Sequence, residues 1–238
     1  MSVELSVVLP CYNEAENLPP LLARYAAAWP NFPAELVLVD NGSTDHTAEV
    51  LARELANPAY RFARTVRVPK NRGYGHGIAT GLKAATGTFL AFSHADQQCA
   101  PEDVFAAYRL LRSQPDPAKA VAKGRRAKRD WSAQLVTTGM SLVASTVLLT
   151  PLTDVNAQPK VFHRSHLDRL ANPPDGFPLD LYVLYRAKRA GLSVLTVPVV
   201  FGARGHGQSK WAFSFLSRWR TILNMVRYIV RLRFHPEG

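Results

Sequence analysis

Between Ser93 and Asp103 the chain sets an imidazole, a carboxylate and a primary amide at alternate positions, His94-Ala95-Asp96-Gln97-Gln98. Donors of this kind suit a divalent cation held against a phosphorylated substrate. The elements that must position them lie on either side. Thr86-Gly87-Thr88 makes a turn, Phe89-Leu90-Ala91-Phe92 reads as a short buried strand, and Pro101-Glu102-Asp103 opens a helix. In open α/β sheets ligands bind beyond the carboxyl ends of the strands, which is where Asp96 falls. Taken alone, the stretch reads more simply as a helix start, with Gln98 or Cys99 near the cap and Asp96 in the turn.

Other strand ends repeat the arrangement. Leu5–Leu9 runs into Pro10-Cys11-Tyr12-Asn13-Glu14, Glu35–Asp40 into Asn41-Gly42-Ser43-Thr44-Asp45, and Phe62–Val68 into Asn71-Arg72-Gly73. A helix follows each: the first places Leu18, Leu21, Leu22 and Tyr25 on one face with Pro19 and Pro20 in its first turn, the second runs from Thr47 to Leu55, and the third from Ile78 to Ala85. Strand and helix alternation predicts βαβ units and a parallel sheet. Ser43, Thr44 and Asp45 are also good helix caps, so a structural reading covers most of that turn. Gly73, Gly75 and Gly77 do not form a dinucleotide fingerprint: Gly81 is one residue late, and the cluster follows the third strand rather than the first. They read as a close approach of backbone to a ligand, or as a helix start.

At 238 residues one domain is expected. A hydrophobic content of 47% and a charged content of 20% are ordinary for a folded protein, but the formal net charge of +11 calls for an anionic partner. Nucleic acid is disfavoured, because no nucleic-acid-binding module is recognisable. Cys11 and Cys99, far apart, fit a reduced intracellular protein, and the first strand begins too early for a signal peptide.

Four segments together, Val8-Leu9-Pro10-Cys11-Tyr12-Asn13-Glu14, Val39-Asp40-Asn41-Gly42-Ser43-Thr44-Asp45, Asn71-Arg72-Gly73 and Ala95-Asp96-Gln97-Gln98, resemble the ordered signatures of family-2 inverting glycosyltransferases of the GT-A fold. Asp154 to Arg164 and Arg204-Gly205-His206-Gly207-Gln208-Ser209-Lys210 are similar to the dolichyl- and polyprenyl-phosphate sugar transferase branch. The resemblance implies an α/β fold, a single GT-A domain with a mostly parallel central sheet flanked by helices. This domain would span residues 1–211, with a basic amphipathic C-terminal helix at 212–238 as part of the same unit. It further implies a nucleotide-diphosphate sugar donor contacted by Pro10, Tyr12, Glu14, Asp40, Asn71, Gly73, Arg204 and Lys210. Asp96 would hold a divalent cation, Mn²⁺ or Mg²⁺, with Gln98 beside it. Two departures stand out: Asn41 replaces a second acid after Asp40, and His94 stands where the first acid of an Asp-x-Asp motif belongs. An imidazole there could ligate and favour Mn²⁺, hydrogen-bond substrate, or mark weakened metal binding.

Lys119, Lys123, Arg125, Arg126, Lys128 and Arg129 crowd one short stretch. Such a run is ordinarily a solvated helix face or loop. The resemblance assigns Arg125 and Arg129, with Lys160, to the phosphate of a lipid-phosphate acceptor, since arginine binds phosphate bidentately. With a phosphate acceptor no strong base is needed. With a saccharide hydroxyl, Asp154 is the candidate base; otherwise it is a loop residue or an orienting partner for the arginines. A sugar nucleotidyltransferase and a non-catalytic nucleotide-sugar binder are the other classes.

Trp131 to Thr153 is uncharged but too polar to span a membrane, with Val136, Met140, Val143 and Val147 on one helical side. Trp211 to Phe234 carries Arg218, Arg220, Arg227, Arg231 and Arg233, no acid, and a stripe of Phe215, Trp219, Ile222, Val226 and Ile229. A basic amphipathic helix of this kind reads as binding an anionic membrane surface. A cytoplasmic enzyme attached peripherally to the membrane is the expectation, against a helix packed on the domain or a dimer contact. Asp180 to Gly191 reads as a further helix and Leu192–Val199 as a strand.

Overall fold

Strand β1 (Leu5–Cys11) is buried along nearly its whole length, as an apolar run at the centre of a parallel sheet must be. In the computed structural model, which describes residues 2–127, 131–202 and 215–235, β1 pairs in parallel with β2 (Ala34–Asn41) on one side and β4 (Phe89–Phe92) on the other. The full sheet has seven strands in the order β3-β2-β1-β4-β6-β5-β7, with β3 at Ala63–Val68, β5 at Ala120–Arg126, β6 at Lys160–His163 and β7 at Ser193–Val199. Only β6 runs against its neighbours, so its first residue lies at the edge where the other six strands end.

Alternation along the strands divides the core into two layers. Val7 and Leu9 of β1, with Leu36 and Leu38 of β2, face α1 (Leu18–Ala28), α2 (Thr47–Leu55) and α4 (Pro101–Arg112). Val8, Val37 and Val39 face α3 (Tyr74–Ala84), α5 (Trp131–Leu148), α6 (Leu179–Arg189) and α7 (Phe215–Phe234). Leu18, Leu21, Leu22 and Tyr25 all bury against the first layer, each aliphatic side chain contributing about 1.5–3 kcal/mol relative to exposure. Gly191, with φ of 75°, stops α6.

Several expectations need correction. From Ala120 to Arg126 the basic run is a strand in which Lys123 is buried, whereas Arg125, and Lys119 just before the strand, are exposed. α5 buries Ser141, Ala144 and Leu148, with Met140 and Val147 of the expected side partly buried against the same core and Val143 exposed. On α7 the stripe divides: Ile229 joins Met225 and Leu232 in the core, whereas Trp219 is exposed. Helix α3 begins at Tyr74, and the glycines before and within its first turn serve packing. A Cβ on Gly73 would meet the carbonyl oxygen of Asp175 at 2.3 Å, and one on Gly75 that of Pro174 at 2.1 Å. Their missing side chains admit the 174–176 backbone. Among the described residues no helix is long and apolar enough to cross a membrane.

Candidate active site

The ends of β1, β2, β4 and β5 and the start of β6 bring most of the chemically equipped residues to one edge. Register does this directly: Cys11 pairs with Asp40, Asp40 with Arg67, and Phe92 with both Val8 and Lys160. The loop after β1 is then stitched to the loop after β2. Asn13, at φ 56°, donates its backbone N–H to Ser43 Oγ at 3.1 Å and accepts from the Thr44 N–H at 2.9 Å. The Glu14 N–H donates to Thr47 Oγ1 at 2.9 Å, which places Tyr12 and Glu14 beside the second loop. Asp40 is buried. Its Oδ1 accepts from the Ser43 N–H at 3.0 Å, and its Oδ2 lies 3.8 Å from Arg67 Nε. Gly42, at φ 70°, rests on the backbone of Lys70 and Asn71, so Asn71 adjoins the Asp40 loop. Asn41 turns away from this surface and donates to the Gly73 carbonyl at 3.0 Å. Pro10, Tyr12, Glu14, Asp40, Asn71 and Gly73 therefore lie on adjoining loops. Arg204 and Lys210 lie outside the described residues.

The loop after β4 is fixed from three sides. Asp96 is buried and its Oδ1 accepts from the Gln98 N–H at 3.2 Å. Arg24 of α1 donates to the Gln97 carbonyl at 3.0 Å, and Gln97, at φ 64°, donates from its side chain to Asn17. Gln98 faces the end of β7: its side-chain amide donates to the Gly202 carbonyl at 3.3 Å, and the Gly202 N–H returns a bond to its carbonyl at 2.9 Å. The His94 ring lies between Tyr74, at 5.6 Å, and Phe201, at 6.5 Å between centroids. Among the described residues no three His, Cys, Asp or Glu converge on one point. A carboxylate, an imidazole and an amide are nonetheless a donor set that fits Mn²⁺ or Mg²⁺ when substrate oxygens complete the shell. Cys11 and Cys99 are buried and unpaired, and burial pushes both thiols up, Cys99 to about 12, so neither supplies a thiolate.

On the other side of Phe201 stands Arg126, a member of the basic run to which the resemblance assigns no role. The Arg126 guanidinium lies 5.8 Å from the Phe201 ring, and Asp154 holds it through Nη2 and, at 2.9 Å, through Nε. The Arg126 backbone N–H also donates to Asp154 Oδ2 at 3.0 Å. Burial raises the Asp154 carboxyl, but the side chain and backbone of Arg126 outweigh it and hold the group below the usual carboxylate range. Arg125, the residue chosen from sequence, points to solvent on the opposite face of the strand, and Arg129 lies outside the described residues. Lys160 does not reach this surface. It is 0% exposed and ion-paired with Asp180, itself 1% exposed, with Gln158 donating to Asp180 at 2.6 Å and to Tyr74 Oη at 3.0 Å. The clue to Arg126 was the two-residue period of a strand, obscured because the basic run did not read as one.

The glycosyl transferase family 2 model matches residues 6–166. The chain belongs to that family. A dolichol-phosphate mannosyltransferase of Pyrococcus furiosus is 28% identical over 236 residues, covering 97% of this chain but 64% of that protein, so the chain spans less than two thirds of that relative. A dodecaprenyl-phosphate galacturonate synthase of Rhizobium johnstonii is 38% identical over 105 residues, 43% of this chain and 31% of that one. Among solved structures, the mannosyltransferase PcManGT of Pyrobaculum calidifontis, in complex with GDP-Man and Mn²⁺, superposes with a TM-score of 0.70 at 23% identity, covering 97% of this chain and 65% of that one. The mostly parallel seven-stranded sheet and its flanking helices are those of the GT-A fold.

Proposed function

We propose that this family 2 glycosyltransferase moves a sugar, with inversion, from a nucleotide-diphosphate donor to a polyprenyl phosphate at a membrane surface. The observation that carries the reading is the engagement of Asp154 by Arg126. A hydroxyl acceptor needs a carboxylate ready to take its proton, and Asp154 is committed to a guanidinium and held acidic. A phosphomonoester, with a second pKa of about 6, arrives already ionised and needs a cation instead. Arg126 is that cation, and Asp154 orients it. The names of the Pyrococcus and Rhizobium relatives support the same acceptor class.

Asp40, with Tyr12, Glu14 and Asn71 around it, faces the nucleoside. Asp96 and His94 are the residues that would hold a divalent cation, which when bound neutralises charge on the departing diphosphate. The acceptor phosphate oxygen forms its bond to the anomeric carbon as the bond to the diphosphate breaks on the opposite face, so the sugar inverts. The membrane surface is met by α7 and α5. Trp219, Leu223, Val230 and Phe234 are exposed along α7, and Trp131, Leu142 and Leu149 in and just after α5, which packs against it.

Thermal melting with nucleoside diphosphates tests the donor side. GDP or UDP should raise Tm in the presence of Mn²⁺ and not in its absence, and Asp96→Asn should abolish the shift. A full Mn²⁺-dependent shift in that variant would remove Asp96 from the site.

A further inference from the structure

The acceptor arginine depends on Asp154, and Asp154 is itself held in an unfavourable backbone conformation, with φ of 42°. Two groups grip its backbone. Ser141 of α5 accepts from the Asp154 N–H at 3.2 Å. Lys123, in the strand that ends with Arg126, donates from Nζ to the Asp154 carbonyl at 2.9 Å and to the Gly124 carbonyl at 3.1 Å. Lys123 is 1% exposed, and no salt bridge joins it to a carboxylate among the described residues. An ammonium group is costly to bury, and this one spends its hydrogen bonds on two backbone carbonyls rather than on a carboxylate.

We infer that Lys123 is a positioning residue for acceptor recognition: it pins the Asp154 turn from below, and that turn aims Arg126. The inference rests on the proposed acceptor reading. Lys123 also sets the charge beneath the site. The ionisable groups that face it are Lys160 of β6, Arg126 of its own strand, Asp154 of the turn and Asp180 of α6. Three cations thus meet two carboxylates, which leaves the cluster with one positive charge in excess until an anion arrives. Burial, with Lys160 adding to it, lowers the Lys123 ammonium to about 8. Its proton is therefore retained at neutral pH and lost in mildly alkaline solution, taking with it both the charge and the stronger hydrogen bond to the Asp154 carbonyl.

The full chain carrying Lys123→Met tests this, since methionine keeps the volume, and Lys123→Gln serves as a second variant that keeps a donor without the charge. Two readouts are needed: amide hydrogen exchange of Arg126 and the Asp154 turn, and affinity for farnesyl phosphate as a soluble phosphate probe. In the folded methionine variant exchange should accelerate at both places, and farnesyl phosphate should bind about tenfold more weakly at neutral pH. The native protein should lose farnesyl phosphate affinity as pH rises through about 8, and both variants should be flat there. Unchanged exchange in a folded variant overturns the anchoring role. Faster exchange with an unchanged alkaline fall in affinity overturns the link to the acceptor. If the native protein binds no farnesyl phosphate while exchange still accelerates, the anchor stands and the lipid-phosphate reading falls.

Discussion

Asp154 separates two chemistries at the level of a single side chain. As a base it would be needed in the bond-forming step; as the partner of Arg126 it is needed to hold the acceptor. The two roles predict different kinetics. Asp154→Asn keeps the shape but removes the charge that orients the guanidinium. It should raise the acceptor KM by roughly ten- to hundredfold, as expected for a charge-assisted bidentate pair, with nucleoside diphosphate affinity nearly unchanged. A collapse of kcat at unchanged KM would make Asp154 the base. Much of this region was legible as types of residue and little of it as geometry. Asp40 and Asp96 are visible because each ends an apolar run and opens a polar loop. Arg126 was hidden behind Arg125, since which of two adjacent arginines faces the site depends on strand phase. Lys160 looked like a ligand-binding cation, and only the arrival of Asp180 from α6 makes it an interior ion pair.

β1, β2 and β4 were readable as elements because they are largely apolar runs, the signature of strands covered on both faces, whereas β3 at the sheet edge alternates. β5 and β6 were not. The charges of Lys123, Arg125 and Arg126 mask a strand, and β6 has only four residues. Gly73 and Gly75 answer to the distant segment 174–176, which no local pattern reveals. At the opposite edge of the sheet from the site, Glu35 of β2 ties three elements together. It accepts from Ser6 Oγ at 2.6 Å, from the Thr86 N–H at 2.6 Å and from Arg64 Nε at 2.7 Å. Burial raises its carboxyl, but the Arg64, Ser6 and Thr86 bonds together pull it down to about 2. A carboxyl lowered on folding contributes stability that is complete above its unfolded value and is lost as pH falls toward its folded one. The contribution is on the order of 3 kcal/mol. Glu35→Gln should lower stability by about that amount at neutral pH and flatten the loss of stability between the unfolded carboxyl range and about 2. Denaturant melts across that range measure it, and an unchanged acid limb would remove Glu35 as its source.

On the scale of the whole molecule, the two-layer arrangement leaves one face chemically unlike the rest. The core side of α7 is Met225, Ile229 and Leu232, while Trp219, Leu223, Val230 and Phe234 fall within an arc of roughly 60° on its outer side. Exposed Arg220, Arg227 and Arg231 run alongside. The sequence showed the helix and its charges, but the stripe could be divided between core and surface only once the position of α5 was known. Near an anionic surface each such arginine contributes about 1 kcal/mol, and the aromatic stripe adds apolar area. Binding to vesicles rich in anionic lipid should be clear at low salt and weaken as salt rises. Trp219→Glu with Leu223→Glu should reduce it without lowering Tm, because both side chains are exposed. Equal vesicle binding by that variant would move the membrane contact elsewhere.

The central claim is that the sugar is delivered to a lipid phosphate, and transfer itself tests it most directly. The full chain, with Mn²⁺ and a panel of labelled nucleotide-diphosphate sugars, is offered vesicles containing a polyprenyl phosphate and, separately, soluble saccharides with free hydroxyls. The account predicts label in the lipid fraction as a sugar phosphodiester of inverted anomeric configuration, with little transfer to the saccharides. Transfer to saccharide hydroxyls in preference to the lipid, or retention of configuration in the lipid product, would contradict it.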